Sequence, residues 1–196
     1  MKFDLSHSAS RDRPAFIALG SNQPSFAGPP KETLRAALEM MAEHGFVVAR
    51  ESRFYETPAF PAGSGPNFVN AVVGVETSLS PSELLLQLHE IERAFGRERK
   101  ERWAARPLDL DLLAYGDVIC PDVDTVRDWM ALPLDEQMAR APEGLVLPHP
   151  RLAERSFVLI PFSDVAADWT HPITGKSVAD MLRALPVGDI EAVKPL

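Results

Sequence analysis

The 196-residue sequence has only one cysteine, Cys120, which excludes an internal disulfide and fits a reducing compartment. It has no run close to the roughly 18 apolar residues that a membrane span needs. Residues 1 to 14 also lack the apolar core of a signal peptide. The net charge of −8 leaves too little positive surface for broad nucleic-acid binding. We therefore expect a cytoplasmic protein that binds neither membranes nor nucleic acid.

Several signature motifs are also missing. There is no G-x-S-x-G or G-x-G-x-x-G sequence, which argues against acyl transfer and dinucleotide binding. Gly175-Lys176-Ser177 is similar to the end of a phosphate-binding P-loop, but Thr170 stands where that motif needs its first glycine. The five histidines are scattered and have no cysteine partners, which argues against a zinc site.

The most distinctive stretch runs from Gly96 to Asp111 and contains five cationic side chains, Trp103 and two aspartates. Apolar and acidic residues alternate from Leu108 to Leu113, which predicts a β-strand with both aspartates on one face. On such a strand the Cα atoms of Asp109 and Asp111 lie about 6.5 to 7 Å apart.

Two carboxylates at this separation can share Mg²⁺ ions, which complete their coordination with water and substrate phosphates. A half-exposed strand that follows a solvated charged loop would explain the same residues. Three observations favour the metal site: the paired aspartates repel each other without a cation, the loop is basic within an acidic chain, and Trp103 is an isolated aromatic among charges.

Hydrophobic patterns predict the order β-α-β-β-α-β, in which an antiparallel sheet carries both helices on one face. The first helix follows Pro30 and ends at Gly45, and the second begins at the capping box from Ser80 to Glu83. We expect an α+β, ferredoxin-like fold, extended by C-terminal helices. One of these covers about residues 151 to 167 and is interrupted at Pro161.

We expect residues 1–196 to form a single domain, because this length is typical of one core. Residues 1–13 are expected to be a mobile start. Residues 120–144 combine acidic residues with scattered prolines, which predicts an inserted loop with about one helical turn. Removal of about residues 122–143 should then leave activity within roughly tenfold, because loops outside the core tolerate change.

The second β-hairpin strand, from Asn67 to Thr77, places Phe68 and Asn70 on the same face. An aromatic ring beside an amide could hold a flat heterocycle. A lone asparagine is, however, more often only a turn or edge residue, and the strand alone leaves both interpretations open.

Five motifs in this order closely resemble the 6-hydroxymethyl-7,8-dihydropterin pyrophosphokinase family of folate biosynthesis. They are Phe16-Ile17-Ala18-Leu19-Gly20-Ser21-Asn22, Tyr55-Glu56-Thr57-Pro58, Asn67-Phe68-Val69-Asn70-Ala71, the segment from Gly96-Arg97 to Asp111, and Pro148-His149 with Arg155 and Phe157. The resemblance covers about residues 14 to 180.

The resemblance implies a ferredoxin-like fold and ATP-dependent pyrophosphoryl transfer, with two Mg²⁺ ions held by Asp109 and Asp111. The implied catalytic residues are Arg97, Arg106, Asp109 and Asp111. The implied ATP-binding residues are Glu92, Arg97, Arg99, Trp103, Arg106, His149 and Arg155. The implied pterin-binding residues are Thr57, Pro58, Phe60, Phe68, Asn70, Trp103 and Phe157. The expected partners are these two small-molecule substrates, and the chain is expected to be a monomer.

Two other functions remain open from the residues alone. A ferredoxin-like module for single-stranded RNA would need basic and aromatic residues across its sheet, and the acidic charge argues against it. A different Mg²⁺ enzyme with an Asp-x-Asp motif, such as a nucleotidyl or glycosyl transferase, would keep the two aspartates but would not need the aromatic and asparagine pocket.

Overall fold

The computed structural model describes residues 13–59, 65–97, 106–133, 136 and 139–196. Its strands form one antiparallel sheet in the order β5-β1-β4-β3-β6, and β2 also pairs with β4. The strands are β1 (Ala15–Ser21), β2 (Val47–Glu51), β3 (Tyr55–Thr57), β4 (Phe68–Glu76), β5 (Asp109–Tyr115) and β6 (Lys194–Pro195). The helices are α1 (Pro30–Glu43), α2 (Pro81–Ala94), α3 (Val123–Ala131), α4 (Ser156–Ala166), α5 (Val178–Arg183) and α6 (Val187–Glu191). This order confirms the predicted β-α-β-β-α-β arrangement.

One face of the sheet is covered by α1 and α2, as predicted. The alternating leucines of β5 enter this core, while Asp109 and Asp111 point to the other face. Buried side chains of this core include Ile17, Leu19, Leu34, Val73, Leu84, Leu88, Leu108, Leu110 and Leu112. The capping box of α2 is also present, since Ser80 and Glu83 bond to each other's backbone N–H.

The opposite face is covered over only part of its area by α4 and α5. Phe16, Val72 and Leu113 of the sheet pack there against Val158 and Phe162 of α4. Within the described residues, the part of this face left uncovered lies where β1 ends and β4 and β5 begin. Gly20 of β1 is paired with Asn70 on one side and with Asp109 on the other, which brings both predicted sites to this corner.

Between Phe46 and Thr57 the chain forms two strands, β2 and β3, that pair with the same side of β4. The strand is interrupted at Ser52. Its backbone N–H donates to the carbonyl of Val72 over 3.0 Å, while its hydroxyl accepts from the backbone N–H of Val72 over 2.9 Å. A side chain has therefore replaced one backbone partner, so the edge bends while its hydrogen bonds are kept.

The predicted interruption at Pro161 is wrong, because α4 runs through this proline from Ser156 to Ala166. Proline removes one backbone hydrogen bond from the helix. The buried face of α4, with Val158, Phe162 and Val165, outweighs this loss by packing on the sheet. The preceding residues Leu152–Glu154 form a separate turn of 3-10 helix.

The predicted loop 120–144 contains the nine-residue helix α3, which is longer than the single turn expected. A carboxylate oxygen of Asp122 accepts from the backbone N–H of Thr125 over 2.8 Å and caps the helix. Val126 is fully buried and anchors α3 to the protein. Among the described residues, no helix is both long and apolar enough to cross a membrane.

Candidate active site

Charged side chains from α2, β5 and the start of α4 meet at the open corner of the sheet. One oxygen of Asp109, Oδ1, lies 2.6 Å from Nη1 of Arg97 and 3.0 Å from Nη1 of Arg106. Oδ2 of Asp111 lies 3.6 Å from Nη1 of Arg155. Each predicted aspartate therefore faces at least one predicted arginine.

The protonation state of Asp109 follows from these neighbours. Burial alone would raise its pKa, but the positive charges of Arg106 and Arg97 outweigh burial and hold the pKa below its usual value. Asp109 is consequently a carboxylate at neutral pH. Its charge makes it able to bind a cation as well as the two guanidinium groups.

Glu92 lies beneath this cluster and is only 1% exposed. It forms an ion pair with Arg97, and its Oε1 accepts a hydrogen bond of 2.8 Å from the backbone N–H of Leu110. The resemblance implied that Glu92 contacts ATP. In the structure its carboxylate holds Arg97 and β5 in place, which is a positioning role.

Asn22 directly follows β1 and belongs to the first of the five motifs. Its Oδ1 accepts from the backbone N–H of Arg106 over 2.9 Å, its own N–H donates to the carbonyl of Arg106, and its Nδ2 donates to Pro66. Asn22 therefore links the end of β1 to Arg106. The only sequence signal was its position in the turn after a buried strand.

A small cavity of about 30 Å³ lies beside the charged cluster. Gly20, Asn70, Asp109, Asp111 and Phe157 are among the residues that line it. Nδ2 of Asn70 donates to the hydroxyl of Thr57 over 2.7 Å, so its Oδ1 points toward Gly20. The predicted pterin residues Thr57, Asn70 and Phe157 thus lie at this end of the site.

Phe68 is half-buried on β4, and its ring edge lies near Gly20. Pro58 follows β3 and is exposed. The guanidinium carbon of Arg155 lies 5.6 Å from the centre of the Phe157 ring, which couples the two predicted sites. The predicted residues Phe60, Arg99 and Trp103 lie outside the described residues.

A larger cavity of about 310 Å³ opens on the other side of Asp111. His149 and Arg155 line it, as do Leu85, Trp129 and Arg140. Burial lowers the pKa of His149 to about 4, against the attraction of the Asp111 charge, so this imidazole is neutral at pH 7. Its Nδ1 accepts from the backbone N–H of Arg151 over 3.1 Å, which fits the neutral form.

Comparison with known proteins shows the family of the chain. Residues 16–167 match the family model of 7,8-dihydro-6-hydroxymethylpterin-pyrophosphokinase. A 2-amino-4-hydroxy-6-hydroxymethyldihydropteridine pyrophosphokinase of Synechocystis sp. is 36% identical over 183 residues, which are 93% of this chain and 80% of the relative. An enzyme of the same name from Methylorubrum extorquens is 34% identical over 181 residues, or 92% of this chain and 98% of the relative.

Solved structures support the fold alone, because their sequence identity is low. The wild-type HPPK-DHPS protein of Plasmodium falciparum superposes with a TM-score of 0.59 and 14% identity. The match covers 87% of this chain and 44% of that chain, so our chain spans less than half of its length. The family match and the curated relatives exclude the RNA-binding module and the unrelated Asp-x-Asp transferase. The chain belongs to the 7,8-dihydro-6-hydroxymethylpterin-pyrophosphokinase family and is a pyrophosphokinase of folate biosynthesis.

Proposed function

We propose that pyrophosphate passes from ATP to 6-hydroxymethyl-7,8-dihydropterin at the open corner of the sheet, beside Asp109 and Asp111. The observation that carries this proposal is the meeting of three groups at one place. Two carboxylates on β5, arginines from three parts of the chain and the cavity lined by Asn70 and Phe157 lie next to one another.

The carboxylates of Asp109 and Asp111 would hold two Mg²⁺ ions. The donor set fits this metal, which typically uses one or two carboxylates and takes its remaining ligands from water and substrate phosphates. Within the described part of the chain, no larger cluster of His, Cys, Asp or Glu could supply a complete set of metal ligands. When bound, the ions would neutralise phosphate charge and align the reacting oxygens.

The arginines would bind the triphosphate. Arg97 and Arg106 already converge on Asp109, and Arg155 lies near Asp111, so their guanidinium groups can match phosphate oxygens in fixed directions. Of the other residues that the resemblance implies for ATP, Glu92 would act by holding Arg97 in place. His149 would place a neutral ring beside the nucleotide, and Arg99 and Trp103 would also contact ATP, as the resemblance implies.

The pterin would bind between Phe68 and Phe157, with Asn70 as its hydrogen-bonding partner. Thr57 orients the Asn70 amide, and the backbone near Pro58 and Phe60 would supply further bonds. The small cavity has room for about one water molecule. Binding therefore requires the site to widen, with Trp103 as a further proposed contact.

In the proposed reaction, the hydroxymethyl oxygen of the pterin forms a bond to the β-phosphorus of ATP. The bond from that phosphorus to the bridging oxygen of the α-phosphate breaks, and AMP leaves with the electron pair while the hydroxyl proton passes to water. Little covalent work falls to the protein in phosphoryl transfer, so positioning and charge neutralisation carry the rate.

The test is to incubate the chain with ATP, Mg²⁺ and the pterin alcohol and to separate the products by chromatography. We expect AMP and the pterin diphosphate in equal amounts. ADP with a pterin monophosphate would overturn the proposed site chemistry. A parallel titration of Mg²⁺ in the presence of a chelator tests the metal requirement, and unchanged turnover without Mg²⁺ would reject it.

We further propose that the chain acts as a single domain and as a monomer in the cytoplasm. A continuous sheet shared by both hydrophobic cores supports the single domain, and the lone Cys120 fits a reducing compartment. Light scattering after size-exclusion chromatography should give a mass near 21.6 kDa. Twice that mass would reject the monomer.

A further inference from the structure

We infer that Trp129 and Arg140, both within the inserted segment 120–144, form an outer wall of the nucleotide site and bind the adenosine part of ATP. The inference deepens the proposed function and depends on it. It assigns a ligand-binding role to a segment that the sequence predicted to be a dispensable loop.

The shape and lining of the larger cavity carry the first step. Its volume of about 310 Å³ lies at the lower end of the range for small-molecule sites. Its lining includes the polar and charged residues Asp111, His149 and Arg155 and the apolar residues Leu85, Leu145 and Trp129. The cavity therefore offers both charged and apolar groups, as a nucleotide requires.

The orientation of the nucleotide follows from Asp111. This residue lines both the larger cavity and the small cavity proposed for the pterin. The β-phosphorus has to meet the pterin hydroxyl, so the phosphates belong at the end near Asp111 and Arg155. The remaining lining residues, Trp129 among them, are then left for the adenosine.

The wall itself is held by several contacts. Val126 is fully buried one helical turn before Trp129, and Asp122 caps the start of α3. The guanidinium carbon of Arg140 lies 5.7 Å from the centre of the Trp129 ring, and Nη1 of Arg140 pairs with Oε2 of Glu136 over 3.3 Å. An indole ring with an arginine beside it offers a stacking surface to a flat base.

The experiment compares two ligands that carry similar phosphate charge, a non-hydrolysable ATP analogue and inorganic tripolyphosphate, each with Mg²⁺. Calorimetry on Trp129→Ala should show about tenfold weaker binding of the ATP analogue and a change within twofold for tripolyphosphate. Trp129→Phe, which keeps a ring, should retain binding within about threefold. The matched control is Arg127→Ala, an exposed residue of the same helix that is not part of the cavity wall, and it should change neither affinity.

Equal loss of affinity for both ligands, or unchanged binding of the ATP analogue, would overturn the inference. If Trp129→Ala does not fold, Arg140→Gln on the exposed side of the ring replaces it, and we expect a threefold weaker ATP analogue with unchanged tripolyphosphate. Failure of the wild-type chain to form AMP would instead reject the proposed function. Formation of AMP together with an unchanged KM for ATP in the Trp129 variants would reject only the adenosine-binding role of Trp129 and Arg140.

Discussion

Oε1 of Glu92 accepts a hydrogen bond of 2.8 Å from the backbone N–H of Leu110, the residue between the two site aspartates. The buried carboxylate of Glu92, near the end of α2, thus fixes the position of β5 beneath the site. Because it also pairs with Arg97, one side chain positions an aspartate pair and an arginine together. The site geometry therefore depends on the contact between α2 and β5.

Two replacements of Glu92 should distinguish the effect of its charge from the effect of its hydrogen bond to Leu110. Glu92→Ala leaves the buried N–H of Leu110 without an acceptor, and we expect the free energy of unfolding to fall by about 2 to 3 kcal/mol. Glu92→Gln keeps an acceptor and should cost less stability while lowering kcat at least tenfold, because Arg97 loses its anchor. Urea denaturation and AMP release measure the two effects. Equal stability and activity in Glu92→Gln and wild type would remove the positioning role.

Loss of either site carboxylate should abolish turnover and preserve the fold. Asp109→Asn and Asp111→Asn each remove a proposed metal ligand from the face of β5 that lies outside the core beneath α1 and α2, so we expect at least a hundredfold lower kcat. The thermal midpoint of Asp111→Asn should remain within a few degrees of wild type, whereas Asp109→Asn should lose more stability because Arg97 and Arg106 lose their shared anion. Asp117→Asn is the control, because this exposed aspartate lies beyond the other end of β5 and pairs only with Arg13 among the contacts of the described chain. Wild-type turnover in either site variant would reject the metal assignment.

Gly20 should be required for pterin binding because a side chain at this position would collide with Asn70. A Cβ at this position would lie 3.1 Å from Oδ1 of Asn70, so a methyl group would push the amide away. We expect Gly20→Ala to raise KM for the pterin about tenfold and to leave binding of the ATP analogue unchanged. Gly188→Ala adds a methyl with no neighbour within 4 Å and should behave as wild type. A normal pterin KM in Gly20→Ala would show that Asn70 does not bind the pterin.

The neutral state of His149 predicts a pH effect on stability. Its pKa is about 4 in the folded chain and near 6.5 when unfolded, so between these values the unfolded chain binds more protons. Stability is therefore fully present above pH 6.5 and is lost as the pH falls toward 4. We expect this residue to contribute about 1 to 2 kcal/mol of that loss in stability. The contribution is smaller than that of a fully buried imidazole because His149 is only half-buried.

The measurement is the difference between wild type and His149→Asn in urea denaturation at pH 7 and pH 4.5. Asparagine keeps an acceptor for the Arg151 N–H but does not titrate, so the variant should lose less stability on acidification. NMR of the imidazole C–H groups gives the pKa directly. A His149 ring that titrates near pH 6.5 would contradict the prediction.

Much of the fold was predictable because its signals are local. The capping box at Ser80 marks the start of α2, and the alternation around Leu110 defines which face of β5 is buried. The wrong prediction at Pro161 and the unpredicted break between β2 and β3 at Ser52 have a common cause. In both places, contacts with distant residues outweigh a local preference, and a pattern within a short window contains no information about those contacts.

The site was predictable where its chemistry is carried by unusual residues, such as Asp109, Asp111 and the nearby arginines. The support beneath it was not. Asn22 and Trp129 are ordinary residues in a turn and in an insertion, and only folding brings Asn22 to Arg106 and Trp129 to the larger cavity. The positioning role of Glu92 also required the structure, since an acidic residue near the end of a helix is usually exposed.

Two guanidinium groups meet at a single oxygen of Asp109, and this arrangement affects how the affinity for ATP depends on ionic strength. The protein's own anion offsets the repulsion between Arg97 and Arg106, so their arrangement is assembled during folding. In the proposed complex, a triphosphate would then replace one anionic partner by another instead of ordering two mobile cations. Added salt screens the incoming phosphates and the resident carboxylate alike. The affinity for ATP should consequently fall less steeply with salt than the number of arginines at the site suggests.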